Sequence, residues 1–162
     1  MFKLIEKTKA VDLKIVETIL FYFILYSFLG WILDTWYSSF IDGRLEFGGM
    51  FKSFLLPIPL APIYGFGALV LIGFKKFLES RGHASLLFLS GLILSIVEYV
   101  GGIFTVSVLQ HRAWDYSDNF ANLGGHIDLW HGFLWMMLGW FFVRYLHPVN
   151  KNFSEKILKI KK

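Results

Sequence analysis

The chain has 162 residues, of which 56% are hydrophobic, 19% aromatic and 17% charged, with mean hydropathy +0.56 and a formal net charge of +4. Soluble domains run near half apolar and about one quarter charged, so this balance excludes an ordinary soluble domain and reads as an all-α integral membrane protein. The absence of cysteine excludes disulfide and thiolate chemistry, and leaves the redox compartment open.

Residues 1–17 carry Lys3, Lys7, Lys9 and Lys14 together with Glu6, Asp12 and Glu17. No small-residue cleavage site follows the first apolar run, so a cleaved signal peptide is not expected and the first span is retained. That span covers about 18–38, with Asp34 as its one charge. A loop over 39–52 leads to a second span, about 53–74, which contains Pro57, Pro59 and Pro62. Proline removes a backbone donor and blocks the helical ladder, so the first half of this span is expected to be broken or re-entrant. Irregular backbone at membrane depth survives only against protein or a wet cavity. Residues 56–67, with Tyr64 among them, are therefore expected to line something rather than face lipid.

The third span, about 84–110, holds a single charge, Glu98. Between it and the fourth lies HRAWDYSDNFANLGGHIDLWH, from His111 to His131, where histidines, aspartates and aromatics crowd at the edge of the hydrocarbon. Such groups are expensive there and point to function. The fourth span covers about 127–147 and is expected to end at Pro148. The Lys-rich stretches 1–17 and 149–162 suit interfacial helices on an anionic inner leaflet, and equally serve as plain topology anchors. The chain reads as one transmembrane domain over 1–162, without internal repeats.

Placing the N-terminus inside puts thirteen Lys and Arg on the cytoplasmic side against Arg44, Lys52 and Arg112 outside. The expected architecture is a four-span helical bundle with both termini cytoplasmic and the 39–52 and 111–126 loops outside. Basic excess is accounted for by topology, so nucleic-acid binding has no support. On this threading Asp34, the broken half of the second span, Asp128 and His131 share the outer half of the bundle. Helical spacing aligns Ser27, Gly30 and Asp34; Gly91, Ser95, Glu98, Gly102 and Thr105; and Asp128, His131, Trp135 and Gly139. Small residues on these stripes let helices approach closely. An outward-opening polar interior of Ser27, Asp34, Glu98, Tyr99, Asp128 and His131 is the result.

Several runs in order, F23-I-L-Y-S-F-L-G30-W31, P62-I-Y-G-F-G-A68, E98-Y99 and above all W114-D-Y-S-D118 with N122-L-x-G125-x-I127, resemble the CmpB-type family of ABC-transporter permeases. A small eukaryotic transmembrane family shares the WDYS element. The resemblance covers about 21–148 and implies a permease component of a prokaryotic plasma membrane. The chain has no G-x-x-x-x-G-K-[ST] phosphate loop, so ATP hydrolysis would come from a separate ATPase subunit. Four spans are few for a pathway, which implies a homo-oligomer or a partner subunit besides membrane lipids. The chain departs from the family pattern at Asp34, where glutamate is usual, at His126, where arginine is usual, and at Asp128 and His131, where nonionisable residues are usual.

His126, Asp128 and His131, with Asp34 or Glu98 across the bundle, offer imidazole and carboxylate ligands for a divalent metal such as zinc, iron or manganese. His126 and His131 are five apart and off a common helical face, so His126 would act from the loop. Asp128 equally reads as the cap of the fourth helix. His111 and Asp115 would pair if helical. Asp115, Ser117, Asp118 and Asn119 form an oxygen-rich run of calcium type or of ordinary turn chemistry. Trp114, Tyr116 and Trp130 suit an aromatic belt, and Arg112 with Asp115 reads as an ion pair that locks the loop or as half of a head-group site.

Glu98 is read either as a functional carboxylate or as a hydrogen-bonded structural one. Two functions remain. One is a permease-like component binding or passing a small solute, ion or lipid head group, its cavity lined by residues from Ser27 and Tyr64 to Asn122 and His131. The other is a membrane-embedded enzyme, a hydrolase or transferase acting on a lipid or polyprenyl head group with Glu98 or His131 as catalytic base. A structural membrane subunit is the third.

Overall fold

The computed structural model describes the backbone over residues 2–42 and 59–157, and side chains over 13–40 and 59–154. The regular elements of the described residues are all helical: α1 (Phe2–Asp42), α2 (Pro62–Glu79), α3 (His83–Ser107), α4 (Leu129–Phe141), a π-helical turn (Phe142–Leu146) and α5 (His147–Ile157), with no strand among them. They form two compact units, Met1–Gly65 and Phe66–Lys162, the division falling in the first turn of α2.

α1 runs unbroken for 41 residues. The Lys-rich N-terminal stretch is continuous with the first span in this helix, since nothing between Lys9 and Thr18 interrupts the ladder and neither Gly nor Pro occurs before Gly30. Within this unit the backbone N–H of Ala61 donates to the carbonyl of Ser27 at 2.9 Å, and that of Tyr64 to Ala61 at 3.1 Å. The chain is extended or turning over 59–61 and becomes helical at Pro62, whose fixed φ and missing N–H suit a first helical position. The helix thus starts later than the apolar run; the expected break around Pro57 lies outside the described residues.

In the second unit α3 and α4 pack antiparallel through small residues: a Cβ on Gly91 would collide with Met136, one on Gly139 with Ser90 and one on Gly102 with the ring of His126. Such close approach is what Gly permits. α3 buries Ser90, Gly91, Leu94, Glu98, Gly102 and Thr105, while α4 buries Trp135 and Gly139. The faces are inside-out by soluble standards. Ser27, Ser90, Thr105 and Asp128 are buried, whereas Ile24, Phe28, Phe88, Ile96, Phe104 and Phe133 are exposed. Apolar area on this scale needs an apolar neighbour. Two helical stretches, Leu13–Phe40 and His83–Ser107, are long and apolar enough to cross a membrane.

Pro148 does not end the last helix. The ladder slips by one residue across Phe142–Leu146, the N–H of His147 donating to the Phe142 carbonyl, and α5 continues through Pro148 to Ile157. A π turn widens the helix where a proline ring would otherwise meet the carbonyl four residues back, so the missing donor is absorbed at the junction.

Candidate functional site

Glu98 lies near the middle of α3 and is 4% exposed. Its Oε1 accepts from the Tyr116 hydroxyl at 3.2 Å, and its Oε2 accepts from Nε1 of Trp135. One carboxylate thereby ties α3 to the loop and to α4. Tyr116 in turn lies flat against His131, with ring centroids 3.9 Å apart and an interplanar angle of 18°.

Asp128 caps α4: its Oδ1 accepts from the backbone N–H of His131 at 2.7 Å. Its Oδ2 meets Nδ1 of His131 at 2.9 Å and also accepts from Nδ2 of Asn119. A carboxylate at the first turn satisfies orphan N–H groups and meets the positive end of the helix dipole. The same carboxylate orients the imidazole. Glu98, Tyr116, His131 and Asp128 thus form a continuous set, with Trp135 and Asn119 as donors.

The loop over 108–128 is folded by its own polar groups rather than by helix. Tyr116 N–H donates to Gly125 O at 2.9 Å, Trp114 Nε1 to His126 O at 2.9 Å, and Asn122 Nδ2 to the carbonyls of Ser117 and Asn119, both at 2.9 Å. Asn122 Oδ1 accepts from Gly125 N at 3.0 Å. Gly125 has φ +74°, and a Cβ there would collide with Arg112, Ser117 and Asp115, so only glycine fits. Arg112 Nη1 donates to Asp115 Oδ1 at 2.9 Å and to Gly124 O at 3.3 Å. The hydroxyl and backbone N–H of Ser117 hold the Asp115 carboxyl below the usual carboxylate range, with Arg112 assisting. His111 does not take Asp115 as a helical partner, because residues 111–128 contain no helix.

The trio His126, Asp128 and His131 does not gather as a ligand set. Asp128 and His131 pair, but the His126 ring turns to α3, edge-on to Tyr99 at 5.8 Å and against Gly102. The five-residue step, with the Asp128 helix cap inside it and Gly125 just before it, sends the two imidazoles to different neighbours. The oxygen-rich run also disperses: Asp115 turns to Arg112 and Ser117, Asn119 to Asp128, and Asp118 is exposed. Among the described residues no group of three or more His, Asp or Glu side chains is arranged to hold a metal ion.

In the first unit, Tyr64 Oη donates to Asp34 Oδ1 at 3.3 Å, and its ring fills the space over Gly30. Ser27 is fully buried, its hydroxyl against Gly65. Asp34 belongs to the first unit and Glu98 to the second.

For Trp135 and Asn119 the sequence reading gives a helical stripe and an oxygen-rich run, but not their partners Glu98 and Asp128. Trp135 reads as one more aromatic on a helical stripe, and no periodicity links Asn119 to Asp128 nine positions on.

Residues 21–161 match a family model whose description reads "Putative ABC-transporter type IV". Comparison with the curated proteins and with the solved structures returns no match.

Proposed function

From the premise that the chain belongs to the ABC-transporter type IV family just described, we propose that it is a membrane-spanning transporter subunit that binds a cation or small polar solute at the Glu98 cluster. The reading is one transmembrane domain of four spans over 1–162, in a prokaryotic plasma membrane, with both termini cytoplasmic and the 108–128 loop outside. A separate subunit supplies ATP hydrolysis, as the chain has no phosphate loop.

The observation that carries this reading is Glu98. A carboxylate 4% exposed on a membrane-length helix, with both oxygens accepting hydrogen bonds, is costly to keep, and that cost supports a role in holding a cation or proton. Tyr116, His131 and Asp128 extend the polar path from Glu98 toward the loop, and Asp34 with Tyr64 supplies a second polar pair of the same kind. The residues proposed to line a polar site beside Glu98 are Tyr99, Arg112, Trp114, Asp115, Asp118, Asn122 and His126, all within the second unit.

The second reading, an enzyme acting on a lipid head group, is favoured by one observation, the Asp128–His131 pair that fixes the imidazole as a carboxylate fixes a general base. His131→Ala would then abolish turnover of such a lipid, and unchanged turnover in that variant overturns this second reading.

The transport reading is tested by isolating the tagged full-length chain from its own membrane in lipid nanodiscs. Vanadate-sensitive ATP hydrolysis by a stoichiometric partner is the expected result. A chain that isolates without any ATP-hydrolysing partner overturns it.

A further inference from the structure

The loop between α3 and α4 holds apolar side chains outward, where a water-facing lid has no use for them. Phe120 is 83% exposed, the most of any large hydrophobic side chain among the described residues, and Leu123 is 62% exposed. Neither sits on a loose tip. Leu123 N–H donates to Ile127 O at 2.8 Å, His126 N–H to Leu123 O at 3.1 Å, and Asn122 crosslinks the preceding turn.

Depth explains them. The helix begun by α4 continues to Ile157, but its charge-free part, from Leu129 to the first charge at Arg144, advances only about 22 Å at ~1.5 Å per residue, short of the roughly 30 Å of a bilayer's hydrocarbon. α3 gives the same answer from its side. The loop packs on it where His126 meets Gly102, and beyond that level α3 still turns Ile103 and Phe104 outward, followed by Val108 just past its end. The apolar stripe of α4, Phe133, Met137 and Phe141, also continues upward into Leu129 and Trp130 beside the loop. Two polar groups of the same loop turn inward, Asn119 to Asp128 and Tyr116 to Glu98, while the exposed Arg112, Asp115 and Asp118 occupy the part of the loop before Phe120 and face water or head groups.

We infer that Phe120 and Leu123, with Trp130, seat this loop in the adjacent leaflet of the phospholipid bilayer, so that the loop is a membrane-embedded cap and not an aqueous lid. Lipid is the occupant because the patch is continuous with the lipid-facing stripe of α4 and completes the thickness that α4 leaves short. This goes beyond the transport reading but rests on its membrane-spanning α4.

The chain has no cysteine, so single labels are clean. Phe120→Cys and Leu123→Cys, each nitroxide-labelled in the full chain, are compared with Met137→Cys on the α4 stripe and Ser80→Cys in the exposed α2–α3 turn. The proteins are reconstituted in phosphatidylcholine vesicles containing a minority of phosphatidylglycerol. Collision with oxygen and with a water-soluble nickel chelate is measured. At 120 and 123 the oxygen-to-nickel ratio is expected to lie several-fold above that at 80 and to approach that at 137. Nickel-rich labels at 120 and 123 beside an oxygen-rich 137 overturn the inference and leave the spanning helix intact. Suppression of both collisions at 120 and 123 overturns it in favour of a protein cover, either a partner, a second copy or residues 43–58. A nickel-rich label at 137 overturns the spanning α4 itself, and the inference with it.

Discussion

The Tyr116 hydroxyl donates to Glu98 Oε1 at 3.2 Å while the same ring lies 3.9 Å from that of His131, so one loop residue joins the carboxylate of α3 to the capped start of α4. Glu98, Tyr116, Trp135, His131 and Asp128 are consequently expected to behave as one thermodynamic unit. Residues that share partners in this way are not additive.

Tyr116→Phe removes one hydrogen bond and should lower stability by about 0.5–1.5 kcal/mol. Glu98→Gln replaces an acceptor by an amide that confronts one of the two donors, leaving a buried polar group unmatched at about 1–3 kcal/mol. Thermal unfolding in detergent micelles, read by tryptophan fluorescence, should show the double variant less destabilised than the two singles combined. Strict additivity would mean that the contact carries no energy.

Gly125→Ala is expected to be the most damaging single-methyl change in the loop. It adds the left-handed penalty of roughly 1–2 kcal/mol to a collision with Arg112, Ser117 and Asp115. Gly124→Ala pays only the backbone part, since its nearest neighbour would be 3.5 Å away. Limited proteolysis of the loop should therefore accelerate strongly for Gly125→Ala and mildly for Gly124→Ala; equal rates would contradict the packing described for Arg112.

The loop should also loosen in acid. Ser117, first by its hydroxyl and then by its N–H, and Arg112 beyond it, hold the Asp115 carboxyl below its ordinary value of 3.8. A depressed value in the folded loop means that the unfolded loop binds the proton more readily. The contribution is therefore complete above the ordinary value and fades as pH falls through and below it. Trp114, bonded to His126 O, reports on this through its fluorescence. An acid limb is expected in the unmodified chain and should be flattened in Asp115→Asn.

In the first unit, Gly30→Ala should push the Tyr64 ring away and break its bond to Asp34, whereas Tyr64→Phe breaks only the bond. The glycine change should lower the unfolding temperature more than the tyrosine change. The reverse order would show that the hydrogen bond, and not the close approach of the ring, holds α1 to the first turn of α2.

Much of α3 and α4 was legible from sequence, because a stripe of Gly, Ser and Thr around one carboxylate has few uses in an apolar helix other than close packing around a polar group. Asp128 as a cap was equally legible, since carboxylates at helix starts answer a local need. Tertiary choices were not. Whether His126 follows His131 or turns to Tyr99 depends on two left-handed glycines whose conformation leaves no periodic trace. Pro148 looked like a terminator because the π turn that accommodates it has no sequence signature in FVRYL. Trp135 was visible as a packed aromatic but not as the donor to Glu98, a role fixed by the register between two helices.

The central claim is that the Glu98 carboxylate serves transport and not only packing. Its most direct test is ATP hydrolysis by the isolated complex in nanodiscs, comparing Glu98→Gln with Tyr116→Phe at equal assembly with the partner. The account predicts that Tyr116→Phe, which keeps the carboxylate, retains most of the coupled hydrolysis, and that Glu98→Gln loses it. Equal activity in the two variants, each reduced only in proportion to its loss of stability, would contradict the claim and leave Glu98 as a structural tie between α3, the loop and α4.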